Sequence, residues 1–274
     1  MTGRLAIIAG QGRLPALLAE ASARAGEPPI VAALEGFAPD DVAADLTFRL
    51  ERLVPLLRHL ARADVRRIVL AGAIRRPTLD PSLFDPETAS LVPRILSAMK
   101  AGDDAALREI IAIFEDGGFA VLGAADIAPD LVPGAGLLCG ETSEADRTDA
   151  ERAAQIVAGL GALDIGQGAV VAQGLCLATE ALPGTDAMLD FVARYAAALR
   201  PDPKGARGLL YKAPKPGQDR RADLPVLGPD TVARVAAAGL GGIVWEAGGV
   251  MLIDRDAVVA RARERGLFLW AREP

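Results

Sequence analysis

Residues Leu210 to Asp230 read LYKAPKPGQDRRADLPVLGPD. The segment gathers Lys212, Lys215, Arg220, Arg221, Gln218, Asp219 and Asp223 between Pro214, Pro216, Pro225 and Pro229. Cations beside carboxylates on a proline-stiffened loop suit a phosphate bridged by a metal. Lys and Arg neutralise phosphate oxygens, while carboxylates hold Mg²⁺ or aim a water. A solvated loop of mixed charge has the same composition, so the rest of the chain has to decide between the two.

Three other groups bear on the same chemistry. AGQGRLP, residues 9–15, follows an apolar run and precedes a helical one. Glycines at such a turn let backbone approach a phosphate, and the helix N-terminus supplies N–H donors. Glu180 and GTDAML, residues 184–189, put two acids at element ends, with Thr185 as the expected N-cap and Asp186 in the first turn. Glu180, Asp186, Asp219 and Asp223 are thus candidate ligands of one cation. KAGDDAALREI, residues 100–110, starts a helix with Asp103 and Asp104, whose simplest use is capping. GAIRRP, residues 72–77, sets Arg75 and Arg76 after a strand, where they form an anion clamp or a solvated loop.

The elements that would position these groups alternate. Apolar runs at Leu5–Ala9, Ile30–Leu34, Arg67–Ala71 and Phe119–Leu122 read as strands; Leu14–Ala25, Leu53–Ala63 and Asp103–Glu115 read as helices. That order predicts a parallel sheet with ligand loops at the carboxyl ends of its strands. Beyond Asp126 the pattern breaks around Pro129, Pro133, Gly134 and Gly136. The expected organisation is an N-terminal Rossmann-like domain over 1–130, a linker over 131–147 and a C-terminal mixed α/β catalytic domain over 148–274, with a ligand cleft between the domains. In the second domain, helices are expected at Thr148–Leu160, Thr185–Leu199, Thr231–Ala238 and Asp256–Arg265, with Leu189, Val192, Ala196 and Leu199 on one face of the second. Strands are expected at Ala169–Gln173, Leu175–Thr179, Arg207–Ala213 and Leu267–Ala271. Ile243–Ala247 and Val250–Asp254 flank Gly248-Gly249, a hairpin signal.

Composition excludes much. The net charge of −6 over 274 residues, with no basic block, argues against general nucleic-acid binding. Cys139 and Cys176 form no CxxC pair, which fits a reducing compartment. The single histidine, His59, sits on a helical pattern with apolar positions 53, 56, 57 and 60, so histidine-based hydrolysis and zinc chemistry lose their residues. No run reaches the ~18 apolar residues of a membrane span. The expectation is a cytoplasmic protein that touches a membrane surface at most.

Several segments together resemble one family. IAGQGRLP, KAGDDAALR, LDIGQGAVV, ATEALPGTDAML, KAPKPGQDRRADLPVLGPDTV and GIVWEAGGVMLIDRD occur in the order and spacing of the LpxI-type UDP-2,3-diacylglucosamine pyrophosphatases. The similarity runs to about residue 270, and Lys215 to Gly228 is its most specific part. The resemblance implies a lipid A pathway enzyme of Gram-negative bacteria, with two domains holding the lipid between them. Such enzymes use Mg²⁺, for which Mn²⁺ is expected to substitute. They direct water to the phosphorus nearer the sugar, giving UMP and 2,3-diacylglucosamine 1-phosphate (lipid X). The essential acid before Leu-Pro matches Asp223, which holds metal or orients water; Lys212 and Lys215 join it as catalytic cations. Substrate contacts are implied for Gly10, Gln11, Gly12, Arg76, Asp104, Gln167, Thr185, Gln218 and Arg221. Leu227 stands where Ile is usual, Arg75 lies in a variable neighbourhood, and Gly249 replaces the commoner Arg after EAG. Contact with the inner-membrane surface is expected, and a homodimer is left open.

Two other classes remain. A nicotinamide or nucleotide enzyme would need a third glycine where Pro15 stands, and a clear ribose-binding acid, for which only Glu35 is near. A non-catalytic lipid or nucleotide carrier would have little use for the acid-rich loop.

Overall fold

The computed structural model describes residues 3–74 and 79–274. The chain divides into two compact units. One comprises Met1–Pro129 together with Asp219–Asp223; the other comprises Asp130–Gln218 and Leu224–Pro274. The charged loop therefore leaves the second unit, contributes five residues to the first, and returns.

The first unit is built on a five-stranded, wholly parallel sheet of β1 (Arg4–Ala9), β2 (Ile30–Leu34), β3 (Leu46–Phe48), β4 (Val65–Ala71) and β5 (Ala120–Leu122). Its order is β3-β2-β1-β4-β5, so the chain steps outward from β1 and then restarts beside it at β4. Between β1 and β4 lies the point where such sheets bind ligands. Strands covered on both faces read as unbroken apolar runs, and β2 is buried throughout. Leu53, Leu56 and Leu60 of the helix Leu53–Arg62 and Ile111 and Phe114 of the helix Asp103–Asp116 pack on Ala6, Ile8, Ile68 and Val121. His59 lies on the exposed side of the first of these helices.

Two glycines at the carboxyl edge serve packing. The loops after β1 and β4 are laced together: Gln11 N–H donates to Ala73 O at 3.0 Å and Ala73 N–H to Gln11 O at 2.9 Å. A Cβ on Gly10 would lie 2.7 Å from Ala73 O, and one on Gly72, whose φ is +94°, would lie 2.6 Å from Gly10 O. At Gly12 the φ is +93°, but a Cβ would meet nothing within 4 Å. Gly10 thus lets one loop approach another, and Gly12 alone of the pair opens outward.

The second unit carries a six-stranded mixed sheet, ordered β6-β13-β11-β9-β7-β8. Its members are β6 (Gly136–Cys139), β7 (Gly168–Ala172), β8 (Leu175–Thr179), β9 (Leu209–Lys212), β11 (Gly242–Glu246) and β13 (Phe268–Arg272). The helix Glu144–Ala162 covers one face through Ala150, Ala153 and Val157. Helices Gly184–Phe191, Pro229–Ala237 and Arg255–Glu264 cover the other, over Val170, Leu210, Ile243, Trp245 and Leu269.

Three expectations need correction here. The stretch 131–147 is no bare linker: β6 lies within it and closes one sheet edge against β13, and the following helix already begins at Glu144. Gly248-Gly249 makes no hairpin. The strand after it, β12 (Met251–Leu252), pairs in parallel with β10 (Val226–Leu227) in a separate two-stranded sheet. Tertiary pairing overrode the local turn signal. Leu199 is 68% exposed, whereas Leu189, Val192 and Ala196 are buried. The helix stops at Phe191, and a π-helical turn over Val192–Ala196 changes the phase, swinging the 3₁₀ turn Ala197–Leu199 away from the core.

The lacing of the two loops sets an expectation. Gly72→Ala and Gly10→Ala each force backbone apart and should cost about 1–3 kcal/mol. Gly12→Ala should cost about 1 kcal/mol, the left-handed backbone penalty alone. Urea denaturation checks the ranking; equal costs at all three positions would refute the lacing as the reason for Gly10.

Candidate functional site

In the second unit, strand register assembles one row. Gly168 and Lys212 are partners across β7 and β9, Lys212 and Trp245 across β9 and β11, and Glu180 N–H donates to Gly168 O at 2.8 Å. Residues in register point to one face. Lys212 is 4% exposed. Its ammonium donates to Thr185 Oγ1 at 2.7 Å and lies 3.5 Å from Glu180 Oε2. Thr185 Oγ1 in turn donates to Glu180 Oε2 at 3.0 Å. A buried cation is costly unless answered by an anion and hydrogen bonds, and this triad supplies both. An ammonium has three donors, so the pairing leaves capacity for an anionic ligand.

Thr185 reaches that position because it is not the helix cap. The helix starts at Gly184, with Pro183 as N-cap and no capping side chain, so the hydroxyl of Thr185 serves Lys212 instead. Asp186 goes elsewhere: it is exposed and pairs with Arg234 at 3.3 Å, which also holds Asp190 at 2.6 Å. Lys215 pairs with Asp164 at 2.5 Å. Gln218 closes the turn that follows, accepting Lys215 N–H on its Oε1 at 2.9 Å and donating its own N–H to Lys215 O at 3.1 Å. Gln167 Oε1 is buried without a hydrogen-bond partner, a feature expected where a ligand or water belongs.

In the first unit, Asp219–Asp223 is fastened by one guanidinium. Arg221 gives Nε to Asp219 Oδ1 at 3.0 Å, Nη2 to Asp219 Oδ2 at 2.7 Å and Nη1 to Glu115 Oε1 at 2.7 Å. The hydrogen bonds from Arg221 hold the Asp219 carboxyl below its ordinary value of 3.8 against the opposing effect of burial; Arg108 adds to the lowering. The same two acids push Arg221 upward. Asp104 does not cap its helix, whose N-cap is Gly102; it pairs with Arg108 at 2.7 Å, one turn on. Asp104, Arg108 and Glu115 thus share a face of the helix Asp103–Asp116. Ala222 packs on the core of the first unit, while Leu224 is buried in the second. Asp223, between these two anchors, is exposed.

Gly10, Gln11 and Gly12 lie at the carboxyl end of β1, with Gln11 exposed. Glu35 at the end of β2 is bonded by Arg49 at 2.7 Å, which occupies the acid that a nicotinamide reading would need. Arg75 and Arg76 lie outside the described residues. Both cysteines are free, Cys139 buried and Cys176 exposed. A cavity of about 490 Å³ opens among Gly140, Glu141, Arg207, Gly241, Arg263 and Phe268, at the amino ends of β9, β11 and β13. That is the edge opposite Lys212, so the cavity is unrelated to the triad.

Among the described residues, no group of three or more His, Cys, Asp or Glu is arranged to hold a metal ion. Among the candidate carboxylates, Glu180 faces Lys212, Asp186 faces Arg234, and Asp219 faces Arg221. This donor set does not fit a preformed cage. An ion of the Mg²⁺ kind, which keeps waters and takes one or two carboxylates together with substrate phosphates, would need no such cage. Of the two candidate acids in the loop itself, Asp223 is exposed and Asp219 half-buried.

Sequence reasoning missed Gly166, Gly168, Asp164, Arg108 and Glu115. Arg108 and Glu115 had a signal, a spacing of seven on one helix that puts both on one side. Asp164 and the glycines had none beyond their place in LDIGQG.

Comparison with known proteins covers nearly the whole chain. Residues 4–131 match the model of the LpxI N-terminal domain, and residues 134–270 match that of the LpxI C-terminal domain. A relative from Caulobacter vibrioides, named UDP-2,3-diacylglucosamine pyrophosphatase LpxI, is 38% identical over 277 residues, covering 99% of this chain and 98% of its own.

The clamp on the inserted segment makes a pH prediction. Because Asp219 is depressed in the fold, its contribution is present above its unfolded value and fades as pH falls through the lower folded one. Asp219→Asn should therefore cost stability at pH 7, on the order of 1 kcal/mol at most because Arg221 is partly solvated. The parent–variant difference should shrink below about pH 4. Urea curves at pH 7 and pH 3 check this; an equal difference at both would refute the clamp's electrostatic origin.

Proposed function

Because the chain belongs to the LpxI family, we propose that it hydrolyses the pyrophosphate bond of UDP-2,3-diacylglucosamine to UMP and 2,3-diacylglucosamine 1-phosphate. Water adds to the phosphorus nearer the sugar, and the bond from that phosphorus to the bridging oxygen breaks, with UMP leaving. The observation that carries this reading is the buried Lys212 ammonium, fixed by Thr185 and Glu180 at the end of β9, where the chain runs on through Lys215 to Asp223. A cation held in place before reaction stabilises charge that develops on phosphate and bridging oxygens, without a protein nucleophile.

Asp223 holds Mg²⁺ or directs the water. In the first of these roles Asp223 would hold a Mg²⁺ that would supply neutralisation of phosphate charge, and Mn²⁺ would accept the same donors. Lys215, Gln218 and Arg221 shape the loop around the diphosphate. Gly12 and Gln11, at the carboxyl edge of the first sheet, contact the nucleotide portion.

The acyl chains call for an apolar approach. Among the described residues no helix is long and apolar enough to cross a membrane. Phe191, Tyr195 and Leu199, four residues apart, are 50%, 59% and 68% exposed. The rings of Phe191 and Tyr195 touch, with centroids 5.4 Å apart, and the Arg194 guanidinium lies over Tyr195. An aromatic stripe beside a cation suits the headgroup region of an anionic bilayer. This stripe is the surface proposed to make transient contact with the inner-membrane surface, and the cytoplasmic location belongs to the same family reading.

Two experiments test this reading. Hydrolysis of UDP-2,3-diacylglucosamine in ¹⁸O-water should release UMP, place the label in the lipid 1-phosphate, and stop in EDTA. Label in UMP would move the attack to the other phosphorus, and full rate in EDTA would remove the metal. In the same assay Asp223→Ala should stay folded yet lose most turnover, as expected of an exposed loop acid. In sedimentation with vesicles containing phosphatidylglycerol, Phe191→Ser with Tyr195→Ser should reduce binding while a water-soluble fold is kept; binding equal to the parent's would clear the stripe of this role.

A further inference from the structure

We propose that Glu180 is a positioning residue for Lys212 and that Gly166-Gln167-Gly168 is the socket that keeps it there; this rests on the reading that Lys212 faces the diphosphate. Glu180 is 8% exposed. Its peptide N–H is bound by Gly168 O, and a Cβ on Gly168 would lie 2.5 Å from its Oε2. A Cβ on Gly166 would collide with its carbonyl oxygen. Any side chain at either glycine would displace Glu180. Between them, Gln167 O accepts the N–H of Ala213 at 3.1 Å, tying the socket to the residue that follows Lys212.

The same Oε2 that fits against Gly168 receives the Thr185 hydroxyl and faces the Lys212 ammonium. To serve a metal, that oxygen would have to turn away and leave a cation unpaired in a site that is 4% exposed. The carboxylate is therefore part of the lysine's mounting. It aims the ammonium before substrate arrives, and a preorganised donor acts most strongly where charge develops during reaction. LDIGQG and ATEALPGTDAML become two halves of one device, socket and plug.

The test uses the full chain and reads lysine reactivity alongside kinetics. A water-soluble amine-acylating reagent, followed by peptide mass spectrometry, should modify the exposed Lys100 and Lys204 and spare Lys212 in the parent. Glu180→Gln, which keeps the shape, should expose Lys212 to the reagent. It should lower kcat about ten- to a hundredfold, the effect of one charge-assisted contact acting at the transition state, while KM changes little. Gly168→Ala should reproduce both effects. Circular dichroism identifies a variant that fails to fold; if Gly168→Ala does so, the isosteric Glu180→Gln still decides. Lys212 still protected in folded Glu180→Gln, or kcat equal to the parent's, would overturn the proposal. Lys212→Ala serves as control: parental turnover there would sink the reading of Lys212 as a reaction residue, while the labelling would still report whether Glu180 positions it.

Discussion

A single ammonium placed out of water organises the second unit. Removing a lysine head from solvent is tolerable only where an anion and hydrogen bonds replace the lost hydration. Lys212 sits in the interior of a strand end, so the replacements have to come from neighbouring elements rather than from water. Glu180 comes from the end of β8, Thr185 from the helix behind it, and Gly168 on the intervening strand makes way for Glu180. The sharp turn Ala181–Gly184, with Gly184 at φ +86°, brings the helix back over the strand it has just left. Each of these features is explicable once the lysine is buried, and none is explicable from β-sheet packing alone.

The segment that follows solves a different problem. Proline and glycine stiffen it, but stiffness alone would not decide which unit it joins. Arg221 does so by binding Asp219 two residues before it and Glu115 on the helix Asp103–Asp116. Ala222 then contributes a small apolar contact, and Leu224 and Pro225 turn into the second unit. The acid expected to matter most lies between these two anchors, at an exposed position of the segment.

How much of this was readable in advance follows from where the information lies. β1, β2 and β4 were legible because a strand buried on both faces must be a continuous apolar run. β6, β10 and β12 were not: β6 is a short edge strand with Gly136 and Leu137 exposed, and the other two have two residues each, too few for any pattern. In the site, Lys212, Thr185 and Glu180 were legible as residue types near element ends. Their mutual contact was not, because it depends on the register of β7, β8 and β9, which no local spacing encodes. The same holds for Gly10: a glycine that lets backbone approach phosphate and one that lets backbone approach backbone look identical in one dimension. Leu199 failed for a mechanical reason, since a π-helical turn inserts a phase change that a constant 3.6-residue period does not contain.

The passage of the chain between units has a consequence for dissecting the molecule. It crosses three times, after Pro129, after Gln218 and after Asp223. A fragment ended at Pro129 would look like a whole Rossmann-type domain on a gel or in an alignment, yet its helix Asp103–Asp116 would present Glu115 with no Arg221 to meet. The complementary fragment would carry those five residues as a loop with nothing to dock on. The boundary that a linear map draws between two domains therefore separates Glu115 from the Arg221 that binds it. The two units are interleaved in sequence.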